Sequence, residues 1–171
     1  MKLPENIKIL IITLSDRASK GEYEDKSGPT IKEFLDNHFS QKTWKYEIKT
    51  KIIPDSTVEL TELIETAKKE YNIIFTTGGT GIGPRDITVD VIQPMLDKEI
   101  PGIMEVIRVK YGMQKPNAML SRGIAGVIGI SLIYTLPGSV KAVKEYMTEI
   151  LTTLEHLIYM QYGVDVHKKN K

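Results

Sequence analysis

The chain has 171 residues, 41% of them hydrophobic and 26% charged, with a formal net charge of +1 and no cysteine. That length suits one domain able to bury roughly two-thirds of its unfolded surface, and the near-neutral charge excludes a global field for nucleic acid or anionic membrane, so an anionic ligand must be gripped by a local site. The absence of cysteine excludes disulfides, thiolate metal sites and a cysteine nucleophile, and agrees with a reducing compartment.

The N-terminal stretch Met1-Lys2-Leu3-Pro4-Glu5-Asn6 lacks the apolar core of a signal peptide, and Ile7–Leu14 is too short to span a bilayer, so a cytoplasmic location is expected. Ile7–Leu14 reads as a nearly continuous apolar strand of the kind buried on both faces. Ser27-Gly28-Pro29 opens a helix with Ile31, Phe34 and Leu35 on one side. Trp44–Ile53 alternates as a second strand. Ser56-Thr57-Val58-Glu59 resembles a capping box before a helix that turns Leu60, Leu63, Ile64 and Ala67 inward.

Asn72–Thr77 is a third strand, followed by a glycine loop and a short helix around Val89–Leu96. Gly102–Tyr111 is helical, Ala118–Gly129 fits either a bent strand or a loop, and Ser131–Leu136 is a further strand. From Val140 to Ile158 the apolar positions trace a long amphipathic helix. Strands alternating with helices predict one domain over residues 1–171, a three-layer α/β/α sandwich with a mostly parallel sheet, and flexible tails at 1–6 and 164–171. In such sheets ligands bind beyond the C-terminal strand ends, which is where the glycine loop falls.

Thr76-Thr77-Gly78-Gly79-Thr80-Gly81-Ile82-Gly83-Pro84-Arg85-Asp86 is that loop. Its glycines uncover backbone N–H groups and permit positive φ, so several can converge on one phosphate. It matches neither nucleotide signature: a Walker A needs Gly-Lys-Ser/Thr where Gly83-Pro84-Arg85 stands, and a dinucleotide fingerprint needs a third glycine at Asp86. A tight turn with Asp86 as helix cap is the plain alternative. Arg85 can fork onto phosphate oxygens, and an aspartate beside a phosphate calls for a cation such as Mg²⁺ between them.

Other strand ends carry companions. Ser15-Asp16-Arg17-Ala18-Ser19 follows the first strand, and Asp25-Lys26-Ser27-Gly28 offers a lysine and a helix start. Pro54-Asp55-Ser56 ends the second strand, where Asp55 serves equally well as a charge at the helix start. Ser121-Arg122-Gly123 and Pro137-Gly138-Ser139 lie at turns, and Ser139 suits both capping and ligand contact. His38, His156 and His167 have no partner at metal spacing, and no Gly-x-Ser-x-Gly or His-Glu-x-x-His motif occurs. The inventory positions phosphates rather than forming covalent intermediates.

In their order, Ser15–Ser19, Asp25–Pro29, Pro54-Asp55, Thr77–Gly81 with Pro84-Arg85-Asp86, Ala118–Arg122 and Leu136–Ser139 resemble the MogA/MoaB family of molybdenum cofactor biosynthesis, related to the G domains of Cnx1 and gephyrin. The resemblance runs from about Ile7 to Gly163. It implies a Mg²⁺-dependent molybdopterin adenylyltransferase that uses ATP and releases pyrophosphate, and a homotrimer or homohexamer whose product passes to a MoeA-type molybdate insertase. A non-catalytic molybdopterin-binding assembly protein of the same fold is the alternative.

The family's two acidic positions match Asp55 and Asp86, implying catalysis and metal binding. Ser15, Asp16, Arg17, Lys26, Thr77, Gly78, Gly79, Thr80, Gly81, Arg85, Ser121, Arg122, Pro137, Gly138 and Ser139 are the implied nucleotide and substrate contacts. Val89 and Val140 stand where relatives often carry proline, a departure in turn rigidity rather than charge.

Overall fold

The structure, a computed structural model, describes residues 3–164. The strands are β1 (Asn6–Leu14), β2 (Lys45–Ile53), β3 (Ile73–Thr77), β4 (Lys98–Glu99), β5 (Ala125–Ile128) and β6 (Ser131–Leu136). The helices are α1 (Asp16–Ser19), α2 (Ser27–Ser40), α3 (Thr57–Ala67), α4 (Thr88–Ile92), α5 (Pro101–Gly112) and α6 (Val140–Gln161). The strands form one sheet in the order β2-β1-β3-β6-β5-β4. β2, β1, β3 and β6 run parallel, and β5 lies antiparallel between β6 and β4.

Alternation along β1 divides the core. Ile7, Ile9 and Ile11 join Phe75, Tyr134 and the inner faces of α2, α5 and α6 on one side. Leu10, Ile12 and Leu14 join Ile53, Ile74 and the inner faces of α3 and α4 on the other. This is the expected three-layer sandwich, and it explains the nearly continuous apolar run of β1, whose side chains alternate between the two helical layers. Phe75 and Tyr134 stack across neighbouring strands with centroids 5.1 Å apart. The buried Tyr134 hydroxyl has no partner among the described residues, and burial drives its pKa upward.

Three local outcomes refine the sequence reading. The helix after the glycine loop begins at Thr88 and tightens after Ile92 into a 3-10 turn over Gln93–Met95, where Pro94 cannot donate to an α-helical ladder. The segment 118–129 resolves into a 3-10 turn at Pro116–Leu120, an extended link and β5. At the ends, Leu3 packs against the core and Asn6 opens β1, while residues 1–2 and 165–171, including His167 and most of the expected C-terminal tail, lie outside the described residues.

The chain leaves β1 in one direction to reach β2 and later places β3 on β1's other side. The C-terminal ends of β1 and β3 therefore flank a topological switch point, where an open α/β sheet leaves a crevice for ligand.

Candidate active site

Five segments converge at that edge: residues 15–19 after β1, 54–56 after β2, 78–87 after β3, 137–139 after β6, and 121–124 entering antiparallel β5. The glycine loop is fastened at its base and open at its centre. Thr77 is buried and its hydroxyl donates to the Pro137 carbonyl at 2.9 Å, while the Gly78 N–H donates to the Leu136 carbonyl at 3.0 Å. The Thr88 hydroxyl donates to the Gly78 carbonyl at 2.8 Å. Gly78 has φ +100°, and a Cβ there would collide with the Leu14 carbonyl oxygen. Among the described residues, the N–H groups of Gly79, Thr80 and Gly81 donate to no protein acceptor. These are the donors left for an anion.

Arg122 closes the loop from the side. Its guanidinium donates to the Gly81 carbonyl at 2.9 Å, to the Asp86 carbonyl at 3.1 Å, and to both carboxylate oxygens of Asp90 at 2.7 and 2.9 Å. Its backbone N–H donates to the Thr80 carbonyl. Those contacts occupy the carbonyls of Thr80, Gly81 and Asp86, while the Gly79, Thr80 and Gly81 N–H groups stay unpaired among the described residues.

Three aspartates occupy the crevice. Asp86 does not cap α4, whose N-cap is Ile87; its Oδ2 accepts the Gly83 N–H at 2.8 Å, and a Cβ on Gly81 would lie 2.7 Å from the same oxygen. Asp16 and Asp55 exchange bonds reciprocally, each carboxylate accepting the other's backbone N–H at 3.1 Å. Arg85 reaches across from the glycine loop and donates to Asp16 through Nε at 2.9 Å and Nη2 at 2.6 Å.

The charges follow from this geometry. The Arg85 hydrogen bonds hold the Asp16 carboxyl below its usual range. Burial pushes the Asp55 carboxyl up, helped by repulsion from Asp16 and Asp86 and opposed by the hydrogen bond from Asp16. An acid with a raised value keeps its proton in the folded chain after the unfolded chain has released it. Its contribution therefore declines as pH rises from the ordinary 3.8 through the raised value. Urea midpoints measured upward from that pH, without added cation, are expected to fall relative to those of Asp55→Asn, a difference that separates this carboxyl from the lowered acids Asp16, Asp90, Glu149 and Glu155.

Among the described residues, no three acidic or histidine side chains are grouped to hold a metal unaided. The donor set nevertheless suits Mg²⁺. Asp55 Oδ1 and Asp86 Oδ1 accept no hydrogen bond from the described residues, and Asp86 lies near enough for its charge to raise Asp55. One or two carboxylates completed by substrate phosphates is the usual Mg²⁺ arrangement, and it avoids an all-protein cage.

The remaining expected contacts sit around the rim. Ser15 caps α1 by accepting the Ala18 N–H, and Arg17 lies over the Tyr23 ring at 5.3 Å. Lys26 is exposed and 3.9 Å from Glu24. Ser139 caps α6 at the Ala142 N–H, and Ser121 donates to the Thr80 hydroxyl at 3.4 Å. Ser121, Pro137 and Ser139 also line a cavity of about 280 Å³ together with Lys115, Lys141 and Tyr146. Gly138 packs against Gly78, joining that cavity's wall to the glycine loop.

Sequence reasoning missed Lys115, Lys141 and Tyr146, whose positions carry no marker. It includes Asp25 within Asp25–Pro29 but gives it no role of its own. The Asp25 carboxylate accepts the Thr13 hydroxyl at 2.6 Å, the Ser27 N–H and hydroxyl, and the Gly28 N–H, so it fixes the start of α2 to the end of β1.

Open backbone donors at a switch point, two carboxylates with free oxygens and an adjoining cavity give this α/β/α protein groups chemically suited to a phosphate-bearing ligand. The family model described as "Probable molybdopterin binding domain" matches residues 10–156, and the chain belongs to that family. It is 40% identical over 161 residues to the molybdopterin adenylyltransferase of Pyrococcus furiosus, covering 91% of each chain. It is 39% identical over 155 residues to Dictyostelium discoideum gephyrin, covering 86% of this chain but 21% of gephyrin, so it spans about a fifth of that relative. The crystal structure of the molybdopterin biosynthesis enzyme MoaB from Thermus thermophilus superposes with a TM-score of 0.80 at 32% identity, covering 92% of this chain and 97% of that one.

Proposed function

We propose that the protein is a molybdopterin adenylyltransferase, transferring AMP from ATP to molybdopterin with release of pyrophosphate. The observation that carries this reading is the pairing, in one crevice, of unsatisfied N–H groups at Gly79–Gly81 with the free carboxylate oxygens of Asp55 and Asp86. It is supported by membership of the molybdopterin-binding family and by relatives named for this activity over most of their length.

In this reading the terminal phosphate oxygen of molybdopterin attacks the α-phosphorus of ATP. A new P–O bond forms, the bond from the α-phosphorus to the bridging oxygen breaks, and pyrophosphate leaves with the electron pair. Such a transfer needs alignment and charge neutralisation more than a protein nucleophile. The Gly79–Gly81 N–H groups hold phosphate oxygens, and Gly78 and Thr77 hold that loop in place. Asp55 and Asp86 hold Mg²⁺, which when bound neutralises charge on the triphosphate. Arg85, Arg17 and Lys26 balance the departing pyrophosphate. Ser15, Ser121, Pro137, Gly138 and Ser139 border the nucleotide and pterin, and Arg122 holds the loop through its carbonyls.

Val106 and Val109 on α5 and Met113, the residue that ends it, are exposed by 55%, 62% and 85%, with Met119 and Leu120 also exposed. Apolar residues at this spacing suit burial against further copies of the chain, in keeping with a homotrimer or homohexamer. Use of ATP and delivery of the product to a MoeA-type insertase point to the cytoplasm; no helix among the described residues is long and apolar enough to cross a membrane.

Pyrophosphate release tests the reading. It is expected only when ATP, Mg²⁺ and molybdopterin are all present. Molybdopterin binding without release would instead indicate a non-catalytic assembly protein.

A further inference from the structure

Arg85 is the cation carried by the glycine loop itself, yet its guanidinium is committed. Nε and Nη2 fork onto the Asp16 carboxylate, joining residues 69 apart in sequence across the switch point. The Asp16 carboxylate is equally occupied, since Oδ1 also accepts the Asp55 N–H at 3.1 Å. Asp16 thus has no oxygen free for a substrate hydroxyl, and a carboxylate facing a triphosphate would repel it. Arg85 remains 62% exposed on its side chain, so it is reachable by an incoming anion.

We propose that Asp16 is a positioning residue and the Asp16–Arg85 pair a latch across the crevice, which a nucleotide's phosphates open by taking Arg85 from Asp16. This rests on the nucleotide-transfer reading above and adds to it a role for Asp16 other than ligand contact. The two partners hold different ends of the site. Arg85 belongs to the same turn as Asp86, while Asp16 is bonded reciprocally to Asp55. The closed pair therefore ties together the segments bearing both candidate metal ligands. Phosphate is a suitable competitor for it, because guanidinium forks onto phosphate as readily as onto carboxylate. Nucleotide affinity is lowered by whatever the latch gains when closed.

The test is a double-mutant cycle on nucleotide binding, read by calorimetry with ATP and Mg²⁺ in the absence of molybdopterin, so that no turnover intervenes. Asp16→Asn keeps an amide oxygen for the Asp55 N–H but removes the charge that holds Arg85. Asp16→Asn is expected to bind ATP about five-fold more tightly than wild type, and Arg85→Gln several-fold more weakly. The double variant is expected to match Arg85→Gln, since the gain from Asp16→Asn passes through Arg85. A second readout separates latch from scaffold: Asp16→Ala, which also removes the acceptor for Asp55, is expected to lower kcat where Asp16→Asn mainly lowers KM.

Equal tightening by Asp16→Asn with and without Arg85 would reduce the effect to simple repulsion and overturn the latch. No tightening in either background would overturn it as well, while wild-type ATP binding left the nucleotide reading standing. Folded wild type that binds no ATP would overturn both.

Discussion

Asp86→Asn is expected to lower the rate of molybdopterin-dependent pyrophosphate release by on the order of 10²–10³-fold, with the fold and melting temperature nearly unchanged. Losing an anionic metal ligand removes several kcal/mol of charge stabilisation at the reacting phosphates, and each 1.4 kcal/mol is about a factor of ten in rate. The structure makes the substitution mild. The amide oxygen of Asn can still accept the Gly83 N–H that Asp86 Oδ2 accepts at 2.8 Å, so the loop keeps its shape while the charge is lost. Single-turnover kinetics at saturating ATP provide the check, because they separate chemistry from product release. A rate within a few-fold of wild type would remove Asp86 from the metal site.

Gly78→Ala is expected to destabilise the protein by about 3 kcal/mol and to abolish activity in the fraction that stays folded. Alanine at φ +100° costs about 1–2 kcal/mol in backbone strain alone. The added methyl also meets the Leu14 carbonyl at the end of β1, and neither backbone can move freely. Gly78 is bonded through its N–H to Leu136 and through its carbonyl to Thr88, so any shift moves the base of the loop against both β6 and α4. For a domain of this size the loss amounts to a fall of about 10 °C in Tm. Thermal unfolding of Gly78→Ala beside Gly21→Ala makes the comparison. Gly21 has φ +73° and open space where a methyl would stand, so it carries the backbone part without the collision.

Much of this architecture is legible in the residues. β1, β3 and β6 are buried on both faces over most of their length and therefore read as largely apolar runs, interrupted mainly by threonine and serine. The longer helices show because each packs one stripe on the sheet and leaves the other wet, whereas the four-residue α1 buries no side chain and leaves no such pattern. β4 is not legible: two residues, Lys98 and Glu99, are too few to carry a period, and both are exposed. The segment 118–129 stays ambiguous for a different reason. It changes from a 3-10 turn to an extended link to an antiparallel strand within a few residues, so no one periodicity runs long enough to be seen.

The site divides in the same way. Asp55, Asp86 and the glycine loop are visible because they sit in the loops that follow β2 and β3, where side chains spared from packing stand out. The partnerships are not visible, because they join distant segments. Arg85 finds Asp16 across 69 residues, and Arg122 fastens a loop 41 residues upstream. Sequence supplies a list of cations near a phosphate site; only the fold shows that Arg122 is spent on Asp90 and the loop carbonyls, that Thr77 is spent on Pro137, and that the Gly78 N–H is spent on Leu136. The donors that remain are fewer than the motif suggests, and they are contiguous.

Transfer of an adenylyl group to molybdopterin leaves its record in the mass of the product, and that mass is the measurement to make. After incubation of the purified protein with ATP, Mg²⁺ and molybdopterin, the expected product is a pterin species heavier than molybdopterin by one adenylyl group, formed in step with pyrophosphate and missing with Asp86→Asn. Unmodified molybdopterin recovered from a folded protein that has bound both substrates would contradict the transfer.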